Sequence, residues 1–80
     1  MLTVKLFAKA RDLVGSPTVQ LAWSDGQVVA HLKQVLGEQY PALVPLIPRL
    51  FVAVNNDYAA DSTAISQADE VACFPPVSGG

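Results

Sequence analysis

Apolar and polar positions alternate at the start of the chain. In Leu2-Thr-Val-Lys-Leu-Phe-Ala8, Leu2, Val4, Leu6 and Ala8 fall on one side and Thr3, Lys5 and Phe7 on the other. That period of two predicts a strand. Ala10 to Leu13 reads as a short helical turn closed by Gly15, and Thr18 to Ala22 as a second strand, antiparallel to the first. Ser24-Asp-Gly26 is turn chemistry, with Ser24 or Asp25 placed to cap a helix from near Gln27. From Val28 to Tyr40 the apolar period lengthens: Val28, Leu32, Val35 and Leu36 share a face with the polar Gln39, as in an amphipathic helix. Gly37 weakens its last turn and Pro41 ends it. Leu43 to Arg49, carrying Pro45 and Pro48, predicts an irregular apolar crossover. Phe51 to Asn55 is a third strand, Asn55-Asn-Asp57 a turn, Tyr58 to Ile65 a short strand or connection, and Glu70 to Phe74 the final strand.

Two strands, a helix and two or three more strands predict an α+β roll: one mixed sheet packed against one main helix. The final strand is expected parallel to the first and beside it. The folded domain spans 1–74. Beyond it, Pro75 and Pro76 remove two donors and fix φ, so the tail of 75–80 cannot continue the sheet or start a helix. Six extended residues reach roughly 20 Å. Gly79 and Gly80 carry no side chain, and such a tip fits a channel too narrow for other residues.

Composition narrows the function. The chain has 80 residues, 51% of them apolar and 15% charged, which is one small domain with more apolar material than its core needs. The surplus predicts a partner-binding surface. A net charge of −2 with five scattered basic residues argues against nucleic acid. No apolar run is long enough for a membrane span, and Met1 leads straight into a strand without a signal-peptide pattern, so the expected location is cytoplasmic. A single cysteine excludes an internal disulfide and any four-cysteine metal or iron–sulfur site.

Few side chains suggest chemistry. Cys73 is the one thiol, but no His or Lys neighbours it in sequence; sharing a face with Val71, it reads as a buried packing residue. His31 falls at the edge of the helix's apolar face, as a boundary residue rather than a metal ligand. Asp69 and Glu70 are adjacent and would point to opposite faces, which disfavours a shared acid–base site. Phe74, opposite Val71 and Cys73, is either core or an aromatic anchor for a partner. No triad, phosphate loop or metal cluster is apparent, so no catalysis is expected from this chain alone.

The ending from Asp69 to Gly80, DEVACFPPVSGG, resembles that of the small subunit of molybdopterin synthase, the MoaD-type sulfur carriers. The opening LTVKLFAKARDLVG, with Arg11, Leu13 and Gly15 in its turn, is similar to theirs, as is AVNND from Ala53 to Asp57. Pro41 to Leu50 departs from the pattern, and Phe is more usual at Cys73. The resemblance implies a ubiquitin-like β-grasp fold. It also implies a sulfur carrier: the Gly80 carboxylate would be adenylated by an ATP-using E1-like enzyme and converted by a sulfur donor to a thiocarboxylate. The sulfur would then pass to cyclic pyranopterin monophosphate in the large subunit, with which the family forms a heterotetramer. ATP belongs to the activating enzyme, and no cofactor is expected on this chain. Gly80 would be the reactive end and Gly79 its narrow neck; Phe74, Pro75, Pro76, Val77, Ser78 and Arg11 would contact partners, with Phe7 and Tyr58 behind them. The alternatives are a carrier for thiamin thiazole synthesis, a protein modifier conjugated through Gly80, and a plain β-grasp binding module.

Overall fold

The computed structural model describes residues 1–76. In chain order its elements are β1 (Leu2–Leu6), α1 (Ala8–Val14), β2 (Thr18–Leu21), β3 (Gln27–Val28), α2 (Val29–Gln39), β4 (Phe51–Val54), β5 (Asp57–Tyr58), β6 (Ala64–Ile65) and β7 (Val71–Phe74). The five-stranded sheet runs β2-β1-β7-β4-β5, and β3 pairs with β6 in a small second sheet. The final strand is central. It lies parallel to β1, with Val4 opposite Val71 and Leu6 opposite Cys73, and antiparallel to β4, with Phe51 opposite Phe74.

Alternation decides what each strand buries. Leu2, Val4 and Leu6 of β1, Val19 and Leu21 of β2, Val52 of β4, and Val71 and Cys73 of β7 form the inner face of the sheet. Against them α2 sets Val29, Leu32 and Leu36, spaced by three and four residues as one helical stripe requires. Each fully buried aliphatic side chain of this kind is worth about 1.5–3 kcal/mol relative to exposure. Trp23 seals one end, its indole N–H donating to the Ile65 carbonyl at 2.9 Å.

Several local expectations need correction. Ala8 does not belong to the first strand: the Phe7 N–H makes a last 3.2 Å bond to the Cys73 carbonyl, and Ala8, at φ +53, turns the chain into α1. That helix is two turns long and ends at Gly15, whose φ of +84 suits glycine. Nor does Ser24 or Asp25 cap α2. Gln27 and Val28 pair with Ile65 and Ala64, so the helix begins at Val29. Its first amides, Val29 and Ala30, donate to the carbonyls of Thr63 and Asp61 at 3.0 Å each. Asp25 accepts instead from the Gln67 N–H at 2.7 Å. Asp57, expected in the turn, opens β5 with Tyr58 and extends the main sheet, while the end of the segment expected as a strand or connection, Ala64–Ile65, forms β6, which supports the start of α2. The proline-bearing crossover is an ordered succession of tight turns. Two 3₁₀ turns, Pro41–Leu43 and Ile47–Arg49, flank i→i+3 bonds such as Leu46 N–H to Leu43 O at 2.8 Å, and Leu43 and Leu50 are buried beneath.

Candidate functional site

The outer face of the sheet carries the exposed aromatic residues. The β4–β7 register sets Phe51 beside Phe74, and the β4–β5 register sets Tyr58 beside Ala53. Asn55 and Asn56 allow that second pairing: both have positive φ, +52 and +71, as a two-residue type I′ hairpin turn demands. Phe7, the residue after β1, lays its ring on Phe74 with centroids 4.8 Å apart and planes 10° from parallel. Phe51 and Tyr58 meet edge to face at 5.9 Å. Together with Ala8 and Pro75 these four rings enclose a groove of about 490 Å³. Phe51 is 52% exposed and Tyr58 79%, an unusual concentration of wet aromatic surface for a small domain.

The groove lies where the central strand ends. Phe74, the last residue of β7, and Pro75 both line it. Phe74 therefore settles between its two sequence readings as a half-buried ring on the outer face, not a core residue. Phe7 and Tyr58, expected behind it among partner contacts, line the same groove, as does Phe51, which was not among those expected. Its alternation with Ala53 was visible, but only the register of β4 on β7 brings it to the site. Arg11 is exposed on α1, with Nε 4.0 Å from Asp12 Oδ1, and is not among the residues lining the groove. Pro76 borders a neighbouring groove. Val77, Ser78, Gly79 and Gly80 lie outside the described residues.

Beside the rings the electrostatics are those of a fastened rim. Lys5 Nζ lies 2.7 Å from Glu70 Oε1, and this bond, with the lysine's charge, lowers the Glu70 pKa. Asp69 accepts from the Ser66 N–H at 2.8 Å and from Asn55 Nδ2 at 3.1 Å; the first contact chiefly, then the second, lowers its pKa. Asn55 Oδ1 in turn accepts from the Glu70 N–H at 2.9 Å. The two acids thus serve the approach to β7 as structural partners. Cys73 is completely buried, and desolvation pushes its thiol up to about 12, the opposite of an activated nucleophile. His31 is half-buried against Trp23, with ring centroids 5.5 Å apart. Among the described residues no cluster of His, Cys, Asp or Glu could hold a metal ion, and no helix is long and apolar enough to cross a membrane.

Residues 4–80 match the ThiS family across nearly the whole chain. The chain belongs to that family. Within it, the chain is 37% identical over 82 residues to the molybdopterin synthase sulfur carrier subunit of Escherichia coli, covering 100% of both. It is 35% identical over 77 residues to the subunit of that name from Arabidopsis thaliana, covering 96% of this chain and 80% of the plant protein. Among solved structures, it superposes on SAMP1 from Haloferax volcanii with a TM-score of 0.84 at 32% identity, covering 99% of this chain and 98% of the other. The family's architecture is the ubiquitin-like β-grasp, as the order β2-β1-β7-β4-β5 with α2 across it requires.

Proposed function

We propose that this chain is the sulfur carrier of molybdopterin synthase and that Gly80 is its reactive end. One observation carries the reading beyond the family likeness. The central strand delivers its last residue, Phe74, and Pro75 into an exposed aromatic groove, so a partner seated on the groove receives whatever follows Pro76. The rings supply apolar contact area on a rigid sheet, and the two prolines give the outgoing chain few conformations to lose.

The chemistry then proceeds on partners. A Gly80 carboxylate oxygen attacks the α-phosphorus of ATP in an E1-like enzyme, and pyrophosphate leaves. A sulfur donor attacks the resulting acyl carbon, AMP departs, and a thiocarboxylate remains. In the large subunit its sulfur bonds to cyclic pyranopterin monophosphate and water cleaves the acyl–sulfur bond, restoring the Gly80 carboxylate, once for each dithiolene sulfur, so a spent carrier must dissociate and be recharged. The domain's part is recognition and delivery; it contributes no catalytic group.

The deciding experiment incubates the protein with ATP, a cognate E1-like enzyme and sulfide in a Cys73→Ala background, then traps new thiol by alkylation. Fragmentation should place the adduct on Gly80, and deletion of Gly80 should abolish it while leaving the domain folded. No adduct from a demonstrably active enzyme would refute the carrier reading. The likeness to SAMP1, named in full small archaeal modifier protein 1, supports a second reading as a protein modifier. Isopeptide adducts joining Gly80 to lysines of other proteins would favour it, and product formation with the synthase large subunit would favour the first.

A further inference from the structure

A second groove, of about 480 Å³, opens beside Pro76, and Phe51 and Tyr58 line both it and the aromatic groove. Its chemistry differs, because Lys33, Arg49 and Asp61 also face it. Lys33 Nζ is 2.9 Å from Asp61 Oδ1, which pairs one cation internally. Arg49 is exposed and takes part in none of the ion pairs among the described residues, which are Lys5–Glu70, Arg11–Asp12 and Lys33–Asp61. Its backbone is anchored all the same. The Arg49 N–H donates to the Leu46 carbonyl at 2.9 Å, the next amide donates to Ile47 at 3.2 Å, and Leu50 is buried. A cation on an anchored backbone therefore borders the second groove together with Phe51, on a protein whose net charge is negative.

We propose that Arg49 is a partner-recognition residue that binds a carboxylate on the large subunit of molybdopterin synthase; this rests on the docking reading given above. A partner that extends across Phe51 and Tyr58 reaches the second groove, because both rings border it. Covering Arg49 without an anion would strip water from a charge and return nothing. An acidic side chain removes that cost, and the planar guanidinium can grip a carboxylate through two parallel hydrogen bonds. Lys33 cannot take this role as readily, since Asp61 already neutralises it. The contact would make docking selective for an acidic rim and sensitive to salt, in contrast to the purely apolar ring contacts.

The test titrates the purified chain against the purified large subunit from the same organism by calorimetry, at low and high salt. Arg49→Ala should weaken the Kd roughly tenfold at low salt and flatten its salt dependence, and Arg49→Lys should fall between it and the wild type. Gln20→Glu, on the opposite edge strand, changes the net charge by the same single unit and should leave the Kd unchanged. Equal losses in Arg49→Ala and Gln20→Glu, or no loss in Arg49→Ala, would overturn the proposal. So would unchanged large-subunit binding combined with poor charging by the activating enzyme, which would assign Arg49 to that enzyme instead. Phe51→Ser reports on the underlying reading separately: if it weakens binding while Arg49→Ala does not, docking at the rings stands and the arginine contact falls. A wild-type chain that does not bind the large subunit removes both.

Discussion

Phe7 and Phe74 stack face to face across the parallel β1–β7 pair, 4.8 Å between centroids. Neither ring enters the core, so their mutual contact spares each only part of its exposure to water. A pair of this kind contributes about 0.5–1.5 kcal/mol beyond the area it buries. Truncating Phe74 to Ala should therefore cost the isolated domain little. Binding to the large subunit should lose about 2 kcal/mol or more, near thirtyfold in Kd, as expected for an aromatic anchor at the centre of an interface. Thermal melts beside calorimetric titrations separate the two effects; a large stability loss with unchanged affinity would make the ring a core element after all.

The hairpin between β4 and β5 should be sensitive at one asparagine and tolerant at the other. Asn55 combines φ +52 with side-chain bonds to Asp69 and the Glu70 amide. Asn55→Ala loses both bonds and puts alanine in the left-handed region, for a cost of about 2–3 kcal/mol. Asn56, at φ +71, makes no side-chain bond within the described residues, so Asn56→Gly should be neutral or stabilising by up to about 1 kcal/mol. Urea denaturation of the two variants tests the contrast.

Acid should loosen the approach to β7. Asp69 and Glu70 both titrate below their ordinary values of 3.8 and 4.5 in the folded chain. Groups depressed in this way stabilise the native state above their unfolded pKa, and the contribution is lost as pH falls through the folded one. Melting temperature should decline on going below about pH 4.5, and more shallowly in Asp69→Asn, which no longer titrates. A variant that follows the wild-type curve over that range would show that Asp69 is not responsible.

At the other extreme, the buried Cys73 thiol ionises only near 12 in the folded protein, against an ordinary value of 9.0. Its stabilising contribution is complete below pH 9.0 and disappears as pH rises towards 12, because only the unfolded chain ionises over that interval. Alkylation by iodoacetamide at neutral pH should be slow and should track global unfolding. Cys73→Ser, which places a hydroxyl at this apolar site, should destabilise by about 1–3 kcal/mol.

Much of this was legible in the chain because local pattern and topology agree. The period of two in Leu2, Val4 and Leu6 and the pairing of Leu32 with Leu36 both report which side faces the core, whereas the stripe begins at Val29 and not at the expected Val28, which is taken up by β3. The apolar face shared by Val71 and Cys73 identified a strand whose other side had to carry Phe74. The rest depends on contacts between distant segments. The start of α2 is set by the carbonyls of Asp61 and Thr63, over thirty residues downstream, rather than by a capping side chain nearby. Phe51 reaches the groove only through its register on β7, and Arg49 borders the neighbouring groove through the 3₁₀ turn that ends the crossover. No one-dimensional pattern encodes those distances.

The parallel pairing of β1 with β7 also has a mechanical consequence. Tension applied between Leu2 and Phe74 pulls the two strands past each other along their length. The rungs that set Val4 against Val71, Lys5 against Ala72 and Leu6 against Cys73 are then loaded together rather than peeled one after another. The antiparallel contact with β4 adds resistance on the other side. A translocating unfoldase that grips the chain beyond Pro76 must shear the middle of the sheet before anything else gives way. For such a machine, the end of β7 is a poor handle.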